Sequence, residues 1–357
     1  MRIMVRSLLK GILGVVTILA FARVEAQDVH FSQYNSSPLM LNPALAGLDN
    51  GGDYRAYANF RTQWPTVSSD NNTYRTFAGG VDMAIGKVTR FNSFAGIGIS
   101  FEADQAGAIH LNTDRVSLTA AYHIMLDKRG DHQISAGLQG SFNMKSIDPS
   151  LATFDSQYDP TTGTVNPNGQ RETFGRSKVI FGDAGAGLLY SGMVKGGTNI
   201  YLGFGIDHVN QPNISFMPSG QDVSGLGGER LYIKETIHGG AAIPLGGRFT
   251  IMPNFLVLVQ GPSKEFDLGC NFKTALGSDA RTSNTAIHFG VQYRGVFDAI
   301  IASTRIDFKG FSCGLSYDIN VSKLLPASHT VGAPEIAIIY TVANKQKPRP
   351  GHCPVMF

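Results

Sequence analysis

Beyond its first 22 residues the chain has no apolar run approaching the length of a membrane helix, and only 16% of its residues are charged. The first lack excludes a helical span further along, because crossing a bilayer takes about 20 consecutive apolar residues. The second leaves no clustered lysine and arginine with which to displace counterions, so no nucleic-acid partner is expected. Cysteine is scarce as well, and Cys270, Cys313 and Cys353 match neither zinc-ligand spacing nor a CxxC redox pair. The first two fall at apolar strand positions and read as small packing residues, which leaves Cys353 as the candidate for a reactive or paired thiol.

Motifs for chemistry are also missing. Gly80 to Lys87 has glycine spacing one residue too long for a phosphate loop, with Val88 where a magnesium-binding Ser or Thr belongs. Gly182 to Gly187 lacks the helix that a dinucleotide fingerprint must open. The nine histidines include no pair at helical ligand spacing, and His123, His208 and His288, within expected strands, read as interior polar groups. No serine, histidine and orienting acid converge on a recognisable pattern. The expectation is therefore a protein that is not an enzyme, with no catalytic, cofactor-binding or metal residues and no cofactor.

What is present begins with a secretory signal. Arg2, Arg6 and Lys10 precede an apolar stretch from Gly11 to Ala22, and Val24-Glu25-Ala26 places small residues three and one positions before a cut. Cleavage near Ala26 would leave 331 residues starting at Gln27, with no cysteine there to carry a lipid. It would also remove four basic residues and one acidic one, taking the formal charge from +3 to zero.

From about Gly52 onward the sequence returns again and again to period-two alternation, in segments of the length that crosses a membrane as a tilted strand. Tyr54, Ala56, Ala58 and Phe60 alternate with Arg55, Asn59 and Arg61, and Phe266, Leu268, Cys270 and Phe272 with Glu265, Asp267, Asn271 and Lys273. About fourteen such segments can be counted. A soluble sandwich also alternates, but the signal, the absence of helical interludes and the paired charges of the polar phase favour a wet lumen.

Connections alternate accordingly. Those at 64–73, 145–180, 209–229 and 321–333 are long, whereas 126–130, 192–197, 245–247 and 307–310 are short and glycine-bearing. Two fit poorly: 276–284 is long for the short side, and Arg294-Gly295 is short for the long side. Glycines of the polar phase, such as Gly185, Gly187, Gly203 and Gly205, make room inside. The fold class expected is all-β: a transmembrane antiparallel up-and-down β-barrel of about 14 strands with an N-terminal plug-like or periplasmic segment. Its expected divisions are 1–26 signal peptide, 27–51 N-terminal segment at the barrel opening, 52–343 barrel and 344–357 periplasmic tail.

The start of the mature chain, Gln27-Asp28-Val29-His30-Phe31-Ser32-Gln33-Tyr34, then Pro38, Leu41-Asn42-Pro43-Ala44 and Ala46-Gly47, resembles the opening of PorP/SprF family proteins. Tyr57 to Pro65 resembles that family's Arg-x-Gln-Trp segment, and Cys353-Pro354 near Phe357 its tail. The resemblance implies a Bacteroidetes outer-membrane component of type IX secretion and gliding machinery. Its implied partners are outer-membrane lipid, type IX secretion components, large surface adhesins or a peptidoglycan-binding lipoprotein.

On this basis Phe31, Gln33, Tyr34, Asn42, Pro43, Gly47, Arg61, Gln63 and Trp64 are the candidate structural or partner-contact residues. Asn42-Pro43 and Ala46-Gly47 are turn formers, and Phe31, Tyr34, Leu39 and Leu41 suit packing at the barrel opening. Trp64 sits where an interfacial aromatic anchors a barrel. Arg55 and Arg61 are expected to pair with Asp82 or Glu102. The alternatives are an outer-membrane pore or transporter for small solutes and a soluble secreted all-β protein.

Overall fold

The computed structural model describes residues 28–48, 54–64, 74–86, 93–152, 155–159, 161–166, 174–216, 229–276, 285–295, 298–322, 325–328 and 330–342. The expected signal peptide, Pro65 and the tail with Cys353 lie outside them.

The strands are β1 (Tyr54–Gln63), β2 (Tyr74–Ile85), β3 (Ser93–Ala106), β4 (Leu111–Met125), β5 (His132–Ser146), β6 (Tyr158–Asp159), β7 (Thr164–Val165), β8 (Lys178–Val194) and β9 (Thr198–Asp207). They continue with β10 (Lys234–Gly246), β11 (Phe249–Gln260), β12 (Ser263–Ala275), β13 (Thr285–Arg294), β14 (Ala299–Phe308), β15 (Phe311–Asn320) and β16 (Val331–Val342). All but β6 and β7, a small separate hairpin, form one closed barrel of 14 strands. Each pairs antiparallel with its chain neighbours, and β1 pairs with β16, Tyr54 opposite Val342 and Arg61 opposite Glu335. Closure leaves no unpaired strand edge, the condition for a sheet in hydrocarbon.

The two phases of the alternation separate as expected, apolar out and polar in. Leu138 is 69% exposed on the outer face, whereas Arg55 on the lumen side is 2% exposed. Phe60, Val81, Ile97, Ile99, Leu118 and Leu188 join the outer apolar face, while Asn59, Arg61, Asp82, Gln139 and Asp267 are buried inside. Such an inversion is stable only when hydrocarbon covers the outside.

The connections 64–73, 107–110, 147–177, 208–233, 261–262, 295–298 and 321–330 share one end of the barrel. Those at 86–92, 126–131, 195–197, 247–248, 276–284 and 309–310 share the other, with the free ends of β1 and β16. The longest connections, 147–177 and 208–233, thus fall at one end, although 107–110 and 261–262 there are short and 276–284 at the other end is long. Lys309 (φ 48°) and Gly310 (φ 88°) form the tight turn between β14 and β15, a geometry with both central residues left-handed that glycine makes easy.

Residues 28–48 fill the lumen rather than close its opening. Asp28 lies beside Gln260 at the long-loop end, and Gly47 beside Asp82 toward the short-turn end. Between them run three single turns, Tyr34–Ser36, Pro38–Leu41 and Pro43–Leu45. Prolines begin the second and third, where a missing N–H costs nothing. The hydrophobic core of the molecule is this plug against the wall: Tyr34, Leu41, Ala44, Leu45 and Leu48 cluster with Phe94, Met125, Leu189, Tyr201 and Leu256. The expectation of a plug-like or periplasmic segment resolves to a plug, because Phe31, Leu39 and Leu41 find apolar surface only inside.

Candidate functional site

The plug begins at a charged clamp. Glu335 on β16 accepts the backbone N–H of Ser32 at 2.7 Å and of Gln33 at 2.9 Å, one on each carboxylate oxygen, and the side-chain amide of Asn59 at 3.1 Å. The Ser32 hydroxyl donates to Asp318 at 2.6 Å and accepts from Arg61 at 2.7 Å and Arg294 at 2.9 Å. Both arginines also hold Asp318 at 2.8 Å. All these charged groups are buried, where an ion pair holds only if its remaining hydrogen bonds are met. Here a serine of the plug meets part of them, while Nε of Arg61 and of Arg294 finds no hydrogen-bond partner among the described residues.

A second charged group lies beside it. Asp28 contacts Nε2 of His208 at 2.5 Å, and Asp183 contacts Nδ1 of the same ring at 2.6 Å. Burial opposes charge on His208, but Asp28 and Asp183 outweigh it and push the imidazole up to about 9. Burial likewise opposes charge on Asp28, yet His208 and then Lys234 hold its carboxyl well below the usual range. Lys234 stands 3.6 Å from Asp28 and 3.7 Å from Asp207.

Further down, the fit is by shape and single hydrogen bonds. The Tyr34 hydroxyl donates to Asn254 at 2.8 Å. Asn42 donates to the carbonyls of Leu188 and Phe204 at 3.0 and 3.2 Å, lies 3.1 Å from Nε2 of His238, and caps its own next turn through Ala44 N–H. The wall is glycine where the plug comes closest: a Cβ on Gly187 or Gly203 would strike Asn42, and on Gly137 it would strike the Pro43 and Ala44 backbone. The room left by Gly187 and Gly205 is taken by the plug, and that left by Gly185 and Gly203 first by the wall side chains of Asp207 and His238.

At the short-turn end Arg55 grips Asp82 through Nε at 2.9 Å and Nη2 at 2.8 Å, and donates to the Leu45 and Leu48 carbonyls at 3.1 Å. Gly47 N–H donates to Asp82 at 2.6 Å. Its φ is 71°, and a Cβ there would lie 2.7 Å from both Gly96 Cα and Met83 O, so the position requires glycine. His123 lies 2.9 Å from the Ala46 carbonyl.

Of the candidate residues, Phe31, Gln33, Tyr34, Asn42, Pro43, Gly47 and Arg61 come together along the plug and its wall. Gln63 and Trp64 stand apart at the long-loop rim, Gln63 opposite Tyr74 in register and Trp64 edge-on to the Tyr74 ring at 5.4 Å. The expected pairing of Arg55 with Asp82 is observed. That of Arg61 with Asp82 or Glu102 is not: closure puts Asp318 and Glu335 beside it instead. Sequence reasoning missed Asp318, Glu335, Arg294, Lys234 and Asn254 as plug contacts, and His208 stands one residue past β9 rather than within it. Inward phase alone marks these as lumen residues, and nothing local marks them as plug contacts. Cys270 and Cys313 are half-buried strand residues.

Among the described residues, small cavities of about 10, 70 and 40 Å³ lie between plug and wall. Each is far below the ~300 Å³ at which ligand pockets begin. The arrangement thus holds a segment of chain in place by paired charges and close packing.

Among comparisons with known proteins, the family model described as type IX secretion system membrane protein PorP/SprF matches residues 23–340. No curated protein matches the chain. Solved structures similar to it include the CymD monoaromatic hydrocarbon channel, at 11% identity and TM-score 0.48 over 87% of this chain and 93% of that one. A Pseudomonas aeruginosa FadL homologue matches at 8% identity and TM-score 0.44, covering 84% of this chain and 92% of that one. These likenesses concern the barrel and say nothing of cargo.

Proposed function

The chain belongs to the PorP/SprF family of type IX secretion system membrane proteins, and from that premise we propose that it is a noncatalytic docking component of the outer membrane. In this reading its long-loop end faces outward and binds large surface adhesins. Its short-turn end meets periplasmic partners, a peptidoglycan-binding lipoprotein among them. The observation that carries the reading is the plug: residues 28–48 fill the lumen over its height and are held at both ends. The cavities beside the plug among the described residues hold only a few waters each, so the reading leaves contact to the two rims. Outward placement of the long loops follows the usual asymmetry of outer-membrane barrels. Asp28, the first described residue, lies at that outward end.

The test is affinity purification of the tagged protein from its own outer membranes in mild detergent, with mass spectrometry of what stays bound. Large surface proteins or a peptidoglycan-binding lipoprotein are expected, with the former lost when loop 147–177 is shortened. Recovery of the bare barrel, together with a ligand-sensitive pore in planar bilayers, would overturn the reading in favour of solute transport.

A further inference from the structure

The plug does not cover the wall evenly. Its turn Pro43–Leu45 packs on β4, β5 and β8, and Tyr34–Ser36 on β1 and β16. Toward the short-turn end the inward residues Lys273 of β12 and Arg305 of β14 stay only half-buried. There the inward phase puts Lys273, His288 and Arg305 side by side on adjacent strands, Lys273 opposite His288 and His288 opposite Arg305 in register.

The charges of this row do not balance. Asp307 is the carboxylate held there, and it is already engaged by His288 at 2.8 Å and Arg305 at 2.7 Å. Lys273, half-buried, feels the Asp307 charge but makes no ion pair within 4.0 Å among the described residues, so three basic groups share one carboxylate. Half-buried basic groups that share a single carboxylate favour a further counter-charge. Above the row lies the 70 Å³ cavity, roofed by Ser32 to Ser36 of the plug and walled by Asn254, Asn271 and Ser303, with His288 and Arg305 in its lining. It has room for a few waters or one small anionic group. The surrounding donors are neutral amides and hydroxyls, which suit an anion's oxygens.

We propose that Lys273, His288 and Arg305 form an anion-binding site beneath the plug's first turn, taking a carboxylate or phosphate group that enters from the short-turn end. Lys273 supplies the charge that Asp307 does not contact directly, and Arg305 a planar fork already oriented by Asp307. The group belongs either to a free small anion or to an acidic segment of a protein chain. The site stands independently of whether adhesins dock at the opposite rim.

The full-length barrel in nonionic detergent is titrated into fluorescein-labelled hexaglutamate, followed by anisotropy, with inorganic phosphate as competitor. Binding should weaken at least tenfold in Lys273→Gln, recover in Lys273→Arg, and stay unchanged in Lys264→Gln on the same strand at the other end. Displacement by millimolar phosphate identifies a free anion as sufficient, and resistance to it identifies a carboxylate-bearing chain. In parallel, on the wild-type protein, hexaglutamate or phosphate should slow acetylation of Lys273 and leave Lys264 unprotected. The proposal is overturned if neither probe binds, if a folded Lys273→Gln barrel binds as the wild type does, or if Lys273 gains no protection.

Discussion

Replacing Glu335 by glutamine changes the plug's first clamp with almost no change of shape. In the wild type both carboxylate oxygens accept a plug N–H, at 2.7 Å from Ser32 and 2.9 Å from Gln33. A glutamine keeps one acceptor and turns an NH₂ group toward the other N–H. One charge-assisted hydrogen bond, worth about 1.5–3 kcal/mol, becomes neutral or is lost, and a buried N–H is left unmet at about 1–3 kcal/mol. Allowing for partial relaxation, the docked end of the plug should lose about 3 kcal/mol. At about 1.4 kcal/mol per factor of ten, Ser32 and Gln33 amides should exchange with deuterium about 100-fold faster. The ladder of β16 uses backbone groups that the substitution leaves alone, so strand amides should exchange as before. Hydrogen exchange with mass spectrometry in detergent reads both sets. Unchanged exchange at residues 32–33, or loosening of the whole barrel together, would refute the idea that this carboxylate latches the plug.

Two further outcomes follow from the same geometry. His208, pushed up to about 9 from its unfolded value near 6.5, contributes stability that is fully present below about pH 6.5 and is lost as the pH rises through about 9. Exchange at the Asp28 end of the plug should therefore quicken between pH 7 and 10, and a His208→Gln variant should show no such step. Gly187→Val would drive a side chain into Asn42 and Pro43, an overpacking worth about 1–3 kcal/mol. The plug should shift and give conductance events in planar bilayers, while Gly140→Val, whose Cβ meets nothing on the lipid face, stays silent; equal silence in both would count against a close plug fit at Gly187.

Much of the barrel could be read without coordinates because its information is local. Alternation such as Ile97 and Ile99 against Gly98 and Ser100 assigns each side chain to a face within a few residues, and loop parity then orders the ends. The pairing of Arg55 with Asp82 was legible for the same reason: β1 and β2 are joined by one connection and run in register. The N-terminal candidates were also visible, as turn formers and aromatics, though not their route. Phe31 and Tyr34 read as residues for an opening, whereas both are buried well inside.

The sequence by itself determined the strands, the sense of their two faces and the number that close the barrel, since chain geometry makes side chains alternate wherever a strand forms. Only the tertiary structure decided what fills the lumen and which charges meet there. Arg61 finds Asp318, 257 residues away, because closing β1 onto β16 brings β15 within reach. Asp28 finds His208, 180 residues away, because the plug rises to the long-loop end. No local pattern encodes such meetings; they follow from ring closure and from the cost of burying a charge far from an opposite one.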